Sequence, residues 1–306
     1  MSLTPRWFSG GRRSSVALWA ALTLMLSLFT VLGATTASAA PAPPKRSDSK
    51  TEPVIFVHGI NLQLNTDCKQ DWHNAMAVLK AKGFTGPMKT WGYYKNNKNC
   101  DWNYNGDANT NLDYLARGFA ALIYNEYTKK NVSVDIVAHS MGGIIVRRAL
   151  TGVEQKEKGY PEKLFVEDVV ALSSPHKGAG AVGSLCAKLY EWVQCKNLDD
   201  DGSFMKYLNS KGKNPQSTIG TDWSTIGSQA DYMVFAGNAS GMSAGHEYTY
   251  RRDVGLDHTE VRLHSSQRTA FGIDWYHATG ERSGHDPDGM ATLYVTAEAL
   301  YRWRTW

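Results

Sequence analysis

One serine stands where the chain can present a nucleophile. Residues 132–138 alternate apolar and polar side chains like a short buried strand, and an apolar helix pattern resumes at Ile144. Ser140 occupies the tight turn between them. Such a turn exposes the hydroxyl and points the first N–H groups of the helix at whatever the serine attacks. Ala138 and Gly142 are small, as a close strand–helix crossing requires, so we predict that Ser140 is a nucleophile.

The rest of the chain predicts alternating strands and helices. Apolar residues recur at helical spacing at 71–82, after Asn111, which can cap a helix, and from 289 to the end. Residues 95–109 are rich in Asn, Asp and Gly and predict a loop. The polar, Gly- and Ser-rich stretch 179–230 predicts an insertion over the sheet edge. Apolar runs predict further strands at 53–58, 88–94, 164–172, 232–236 and 270–276. This alternation predicts an α/β fold, with a mostly parallel sheet covered by helices on both faces.

Three motifs carry a resemblance to a known family. They are VIFVHGI at 54–60, AHSMGG at 138–143 and ALSSPHKG at 171–178. The chain resembles secreted bacterial lipases and esterases of the α/β-hydrolase superfamily, in which AHSMGG is a variant of the GxSxG turn around the serine. The resemblance implies an α/β-hydrolase fold with a small cap, no cofactor, and a nucleophile, acid and base in the chain order Ser, Asp or Glu, His.

The resemblance also places the base in a loop before the closing helix. His285, in the sequence SGHDP, precedes that helix, so we predict it as the base. His277, after an aromatic pair, is the alternative. His176 lies in the SSPH segment, which in similar lipases lies beside the site without being the base. The histidines that follow Ser140 are His176, His246, His258, His264, His277 and His285.

The acid should lie between the strand predicted to end at residue 236 and His285. The segment 255–263 resembles the family's acid loop, although His258 replaces the Gly usual there. We therefore predict Asp257, with Glu260 and Asp253 as alternatives. The reasonable candidates are Glu247, Asp253, Asp257, Glu260 and Asp274.

Two backbone N–H groups should stabilise the negative oxygen that forms during attack on a carbonyl. One belongs to Met141, directly after the nucleophile. The resemblance assigns the other to Ile60, after the first strand, where Gly59 allows the backbone to approach closely.

The first forty residues predict a signal peptide. Three arginines precede an apolar segment at 16–31, and Ala37-Ser38-Ala39 supplies small residues for cleavage. Residues 41–50 are polar and Pro-rich, which predicts a disordered lead-in, and 51–306 then form one catalytic domain. Removing residues 1–40 leaves 30 Lys and Arg against 29 Asp and Glu, a balance that argues against a nucleic-acid partner.

Four cysteines in an exported chain predict two disulfides. Pairing neighbours along the chain gives Cys68–Cys100 and Cys186–Cys195, and the other two connectivities stay open. We predict no metal site, because no closely spaced Cys/His pair occurs and the acidic run 199–201 is typical of a solvated turn.

Together these features predict a secreted serine hydrolase that cleaves carboxylic esters, most simply fatty-acyl esters as a triacylglycerol lipase does. We expect a monomer that contacts a lipid interface transiently. The alternatives are a short-chain carboxylesterase, more remotely an amidase or acyltransferase, and a non-catalytic binding module on the same fold.

Overall fold

A computed structural model describes residues 42–302 apart from 212–213, 216 and 267–270. The predicted signal peptide at 1–40 lies outside the described residues. Within them, nine strands form one sheet in the order β3-β2-β1-β4-β5-β6-β7-β8-β9. The strands are β1 Val54–Val57, β2 Met88–Tyr94, β3 Trp102–Gly106, β4 Val134–His139, β5 Val166–Leu172, β6 Asp222–Ser228, β7 His246–Tyr250, β8 Phe271–His277 and β9 Arg282–Gly289.

Neighbouring strands from β3 to β7 run parallel, and β8 and β9 continue the sheet antiparallel. Ile55 and Val57 of β1 pack into one hydrophobic cluster, and Val54 and Phe56 pack into the other. The sheet is therefore buried on both faces, as the continuous apolar run of β1 predicts. The α/β-hydrolase architecture expected from the resemblance is confirmed.

Helices cover both faces of the sheet. Helix α3 caps as predicted, since the Asn111 side chain accepts a hydrogen bond from the N–H of Asp113. In the described part of the chain no helix is long and apolar enough for a membrane crossing. The helices are α1 Cys68–Asp71, α2 His73–Ala81, α3 Leu112–Glu126, α4 Met141–Glu154, α5 Gly180–Tyr190, α6 Val193–Asn197, α7 Ser203–Ser210, α8 Ala236–Ala239 and α9 Thr292–Ala299, with 3₁₀ turns at 128–130, 252–254 and 260–262.

Several strand predictions were wrong. The predicted strand at 232–236 is an exposed turn that leads into α8, and β6 lies instead inside the predicted insertion of 179–230. That insertion therefore ends before residue 222. Strand β3 lies within the predicted loop of 95–109, and His285, which was predicted to lie in a loop before the closing helix, lies on β9. In each case the polar composition concealed a strand that completes the sheet.

The lead-in at 42–50 contacts the domain, in contrast to the predicted disorder. The Arg46 side chain pairs with the carboxylate of Asp168 and donates to the carbonyl of Glu167, at the amino end of β5. Nζ of Lys50 donates to the carbonyl of Lys82 at 2.9 Å. A buried carboxylate such as that of Asp168 needs a cation or donors, and Arg46 supplies both.

Both predicted disulfides are present. Cys68–Cys100 links the start of α1 to the loop before β3, and Cys186–Cys195 links α5 to α6. The pairing of sequence neighbours is therefore confirmed.

Candidate active site

Ser140 is the single residue between β4 and α4, and its backbone is strained. Its φ of 54° and ψ of −129° lie in a region that residues with a side chain rarely adopt. Its N–H donates to the carbonyl of Leu172 on β5 at 2.9 Å, and its carbonyl accepts from the N–H of Gly143 at 3.0 Å. These bonds hold the turn in the conformation that presents a nucleophile at a strand–helix corner.

The turn needs glycine at two positions around Ser140. A Cβ added to Gly142 would lie 2.5 Å from the carbonyl oxygen of His58, and one added to Gly59 would lie 2.8 Å from Cβ of Ser140. Either methyl group would push the turn that follows β1 away from Ser140. The close crossing expected from the sequence is therefore present.

His258 is the histidine that lies beside the serine. Its Nε2 lies 2.9 Å from Oγ of Ser140, and its Nδ1 lies 2.8 Å from Oδ2 of Asp231. With the Nδ1 proton donated to the carboxylate, Nε2 is left to accept from the serine hydroxyl. Ser140 follows β4, Asp231 follows β6 and His258 follows β7, so the parallel sheet brings all three to the carboxyl ends of its strands.

Asp231 is held as a buried anion. Its Oδ1 accepts from the N–H groups of Met233 at 2.8 Å and Val234 at 2.9 Å. Burial by itself would raise its pKa, but the hydrogen bond and charge of His258, together with these two donors, bring the pKa below its usual value. The carboxylate therefore stays ionised beside the imidazole. This chain of three groups can take a proton from the Ser140 hydroxyl and stabilise the imidazolium that results.

His139 supports the same loop from behind. Its Nε2 donates to the carbonyl of His258 at 2.8 Å, and the two rings lie 4.7 Å apart. Burial, and then the positive charges of His258 and Arg262, lower the pKa of His139 well below its usual value. A neutral His139 thus ties the end of β4 to the loop that carries His258.

His285 does not lie beside the serine. Its Nδ1 bonds to Oδ1 of Asp274 at 2.8 Å on the exposed surface of the β8–β9 hairpin. Strand β9 is five strands from β4, or about 24 Å at the usual spacing. The alternative, His277, is buried on β8 with its Nδ1 2.5 Å from Nδ1 of His246. The prediction that either histidine reaches Ser140 was wrong, because β8 and β9 separate the His258 loop from the closing helix.

Asp257 is also misplaced for the role of acid. Its Oδ1 accepts from the N–H groups of Thr259 at 2.8 Å and Glu260 at 2.9 Å, so it begins a 3₁₀ turn. The alternatives are no better placed. Oε2 of Glu260 accepts a hydrogen bond from the N–H of Asp257, and Asp253 is exposed in the 3₁₀ turn at 252–254. The acid loop predicted from the resemblance therefore carries the histidine, and the carboxylate comes from the loop after β6.

Ile60 and Met141 are the oxyanion donors predicted from the sequence. Met141 begins α4, so its N–H is one of the first four that have no partner four residues back within the helix. Ile60 lines the same cavity as Ser140. The hydroxyl of Tyr93 donates to the carbonyls of His58 at 3.0 Å and Gly59 at 2.6 Å, which fixes the turn before Ile60.

An apolar cavity of about 250 Å³ opens at Ser140 and His258. Helix α5, the Cys186–Cys195 bridge and the loop after β6 form its walls. It can hold an apolar chain beside the serine, because side chains of Val, Leu and Met dominate its lining. They include Leu62, Val182, Leu185, Leu189, Leu198 and Met233.

No group of three His, Cys, Asp or Glu suited to a metal ion occurs among the described residues. In the acidic run 199–201, Oδ1 of Asp199 caps the N–H of Asp201, and Asp201 pairs with Lys206.

The sheet order and the strained serine turn define an α/β-hydrolase. Residues 51–268 match the family model of Lipase (class 2), so the chain belongs to that family. Membership makes the protein a lipase or esterase, a hydrolase of carboxylic esters with an ester or lipid substrate. No protein of curated function matches the chain.

Solved structures resemble the chain at low sequence identity. The product of gene lin2722 from Listeria innocua has a TM-score of 0.51 and 10% identity, covering 83% of this chain and 96% of that one. Bacillus licheniformis lipase BlEst2 in its mature form is 19% identical over 61% of this chain and 69% of that one, with a TM-score of 0.39. Aspergillus fumigatus lipase B is 14% identical over 85% of this chain and 60% of that one, with a TM-score of 0.47.

Proposed function

We propose that the protein is an exported serine hydrolase that cleaves fatty-acyl esters through an acyl-enzyme, with Ser140 as nucleophile, His258 as base and Asp231 as acid. The observation that carries this assignment is the continuous chain of hydrogen bonds from Oγ of Ser140 through His258 to Asp231. It replaces His285 and Asp257, which the sequence favoured.

In the first half of the reaction, Oγ of Ser140 attacks the ester carbonyl while Nε2 of His258 takes its proton. The carbonyl oxygen becomes negative and is stabilised by the N–H groups of Ile60 and Met141. Collapse of this intermediate breaks the bond to the alcohol, whose oxygen takes the proton back from His258. Water then attacks the acyl-enzyme by the same steps and releases the acid.

The apolar cavity supports a fatty-acyl group as the part of the substrate that it holds. Large apolar side chains are exposed at the mouth of the cavity. Binding of a small soluble ester would leave these side chains in contact with water. Leu185 is 56% exposed, Leu189 68% and, in the neighbouring turn, Phe235 66%. Transient contact with a lipid surface would cover this rim, and that favours a lipase over a short-chain esterase.

Export is supported by the predicted signal peptide and by the two disulfides, which are typical of oxidising compartments.

Substitution of the nucleophile tests the proposal. In the purified protein, Ser140→Ala should lower ester turnover on the order of 10⁶-fold and abolish labelling by a fluorophosphonate, while circular dichroism stays unchanged. Labelling of the wild type separates an enzyme from a binding module. A series of p-nitrophenyl esters then separates a lipase from a short-chain esterase. Retention of more than a few per cent of turnover by Ser140→Ala would refute the assignment.

A further inference from the structure

A second cavity, also of about 250 Å³, adjoins the apolar one at Ile60, Leu62, Met233 and His258. Its chemistry is different. Hydrogen-bonding side chains line it, among them Asn61, Thr66, Asp71, His139, Thr259 and Arg262. The active site therefore lies where an apolar cavity and a polar cavity meet.

The charges in the polar cavity are matched. Nη2 of Arg262 lies 2.8 Å from Oδ1 of Asp71, and its Nη1 donates to the carbonyl of Asp71 at 2.8 Å. Burial lowers the pKa of His58 to about 4 and that of His139 well below its usual value, so both rings are neutral near pH 7. Among the described lining residues, each charged side chain is already paired with an opposite charge, so a charged group of a substrate would gain no ion pair there. Neutral hydroxyl groups of a substrate would find hydrogen-bond donors and acceptors.

The proposed reaction requires the alcohol half of the ester to lie next to His258, because the leaving oxygen takes its proton from Nε2. The apolar cavity suits the acyl chain, which leaves the polar cavity for the alcohol. We infer that this cavity is a subsite for a neutral, hydroxyl-rich alcohol, so that the preferred substrates are fatty-acyl monoesters of a polyol. A triacylglycerol fits it poorly, because its leaving alcohol still carries two acyl chains. The inference rests on the proposed function.

The reverse step gives a direct assay of this subsite. An alcohol bound in the cavity can attack the acyl-enzyme in place of water: its oxygen forms the new ester bond, its proton passes to Nε2 of His258, and the bond from the acyl carbon to Oγ breaks. Oγ then recovers the proton. The yields of ester formed with two different alcohols, from the same acyl-enzyme, therefore compare how well each alcohol binds in the subsite.

The experiment uses p-nitrophenyl butyrate as acyl donor with glycerol or 1-propanol at equal concentration. We expect the wild type to form at least about five times more glycerol ester than propyl ester, the worth of roughly one hydrogen bond. Thr259→Val, which removes one hydroxyl at the cavity rim, should lower glycerol capture about three- to tenfold and leave propanol capture within about twofold. The matched control is Thr85→Val, an exposed threonine between α2 and β2 that does not line the cavity, which should leave the ratio unchanged.

Equal or better capture by 1-propanol in the wild type would overturn the inference. So would an unchanged glycerol-to-propanol ratio in both Thr259→Val and Thr66→Val. Release of p-nitrophenol is measured in the same reaction and reports the proposed hydrolysis itself. A protein that releases p-nitrophenol but prefers propanol therefore keeps the proposed function and loses only the polyol subsite.

Discussion

His258 and Asp231 lie 27 positions apart in the chain, yet Nδ1 of the first is 2.8 Å from Oδ2 of the second. Strands β6 and β7 are parallel neighbours, so the loops after them emerge side by side at one edge of the sheet. The contact therefore depends on strand order, and any sequence prediction that misplaces β6 loses it.

The identity of the base gives the first prediction. His258→Ala should lower ester turnover on the order of 10⁶-fold, since without it nothing takes the Ser140 proton. His285→Ala is the matched control and should stay within about twofold of the wild type, because His285 lies on the exposed β8–β9 hairpin. Steady-state hydrolysis of a p-nitrophenyl ester measures both. The reverse pattern would restore the assignment made from the sequence.

The acid is tested in the same way. Asp231→Asn should lower turnover on the order of 10⁴-fold, because the amide cannot hold the imidazole in the required tautomer or stabilise its positive form. Asp257→Asn should change turnover little, since this carboxylate bonds the backbone of its own 3₁₀ turn. A large loss in Asp257→Asn, with Asp231→Asn near wild type, would contradict the arrangement.

The two disulfides should differ in what they stabilise. The Cys68–Cys100 bridge spans 32 positions and the Cys186–Cys195 bridge spans 9, which gives chain-entropy contributions of about 4 and about 3 kcal/mol. Replacing the first pair by serine should therefore lower the melting temperature more. Replacing the second pair should alter the acyl-chain-length profile more, because that bridge lines the apolar cavity. Identical effects of the two replacements on both measurements would refute this division.

Asp101 should make stability depend on pH. Burial alone would raise its pKa, but bonds from Lys69 at 2.6 Å, the Thr90 N–H at 2.9 Å and Lys89 at 3.2 Å lower the pKa to about 2. Because the pKa of Asp101 is lower in the folded protein than in the unfolded chain, its ionised carboxylate stabilises the fold above about pH 4. This stabilisation is lost as the pH falls toward 2 and the carboxylate takes up a proton.

Asp101→Asn should therefore lower the free energy of unfolding by about 1 kcal/mol at pH 7, and the deficit should shrink by about half at pH 3. Urea titrations of both proteins at the two pH values measure it. A deficit that does not vary with pH would show that the charge of Asp101 is not the cause.

The serine turn could be predicted from the sequence because its signals are local. A buried strand, small flanking residues and a helix start adjoin Ser140 in the chain, and the structure has each of them. The disulfide pairing followed for a similar reason, since each bridge joins neighbouring cysteines.

The acid and base could not be predicted because β6 does not look like a buried strand. Its Ser224, Thr225 and Ser228 are buried polar residues, whereas Tyr232 and Phe235 are exposed apolar ones. Periodicity therefore favoured 232–236 as the strand and moved the search for the acid past Asp231. The base was missed because two antiparallel strands follow β7, so the loop before the closing helix is not the loop that reaches Ser140.

The pairing of Arg46 with Asp168 has a practical consequence for attaching this protein to a support. Asp168 lies near the amino end of β5, while Leu172, which bonds to the Ser140 turn, lies at the other end, about 13 Å further along the strand. A tether joined just before residue 42 would therefore hold the molecule from the side away from the nucleophile. Immobilised in this way, the protein should present the mouth of the apolar cavity to the bulk solution.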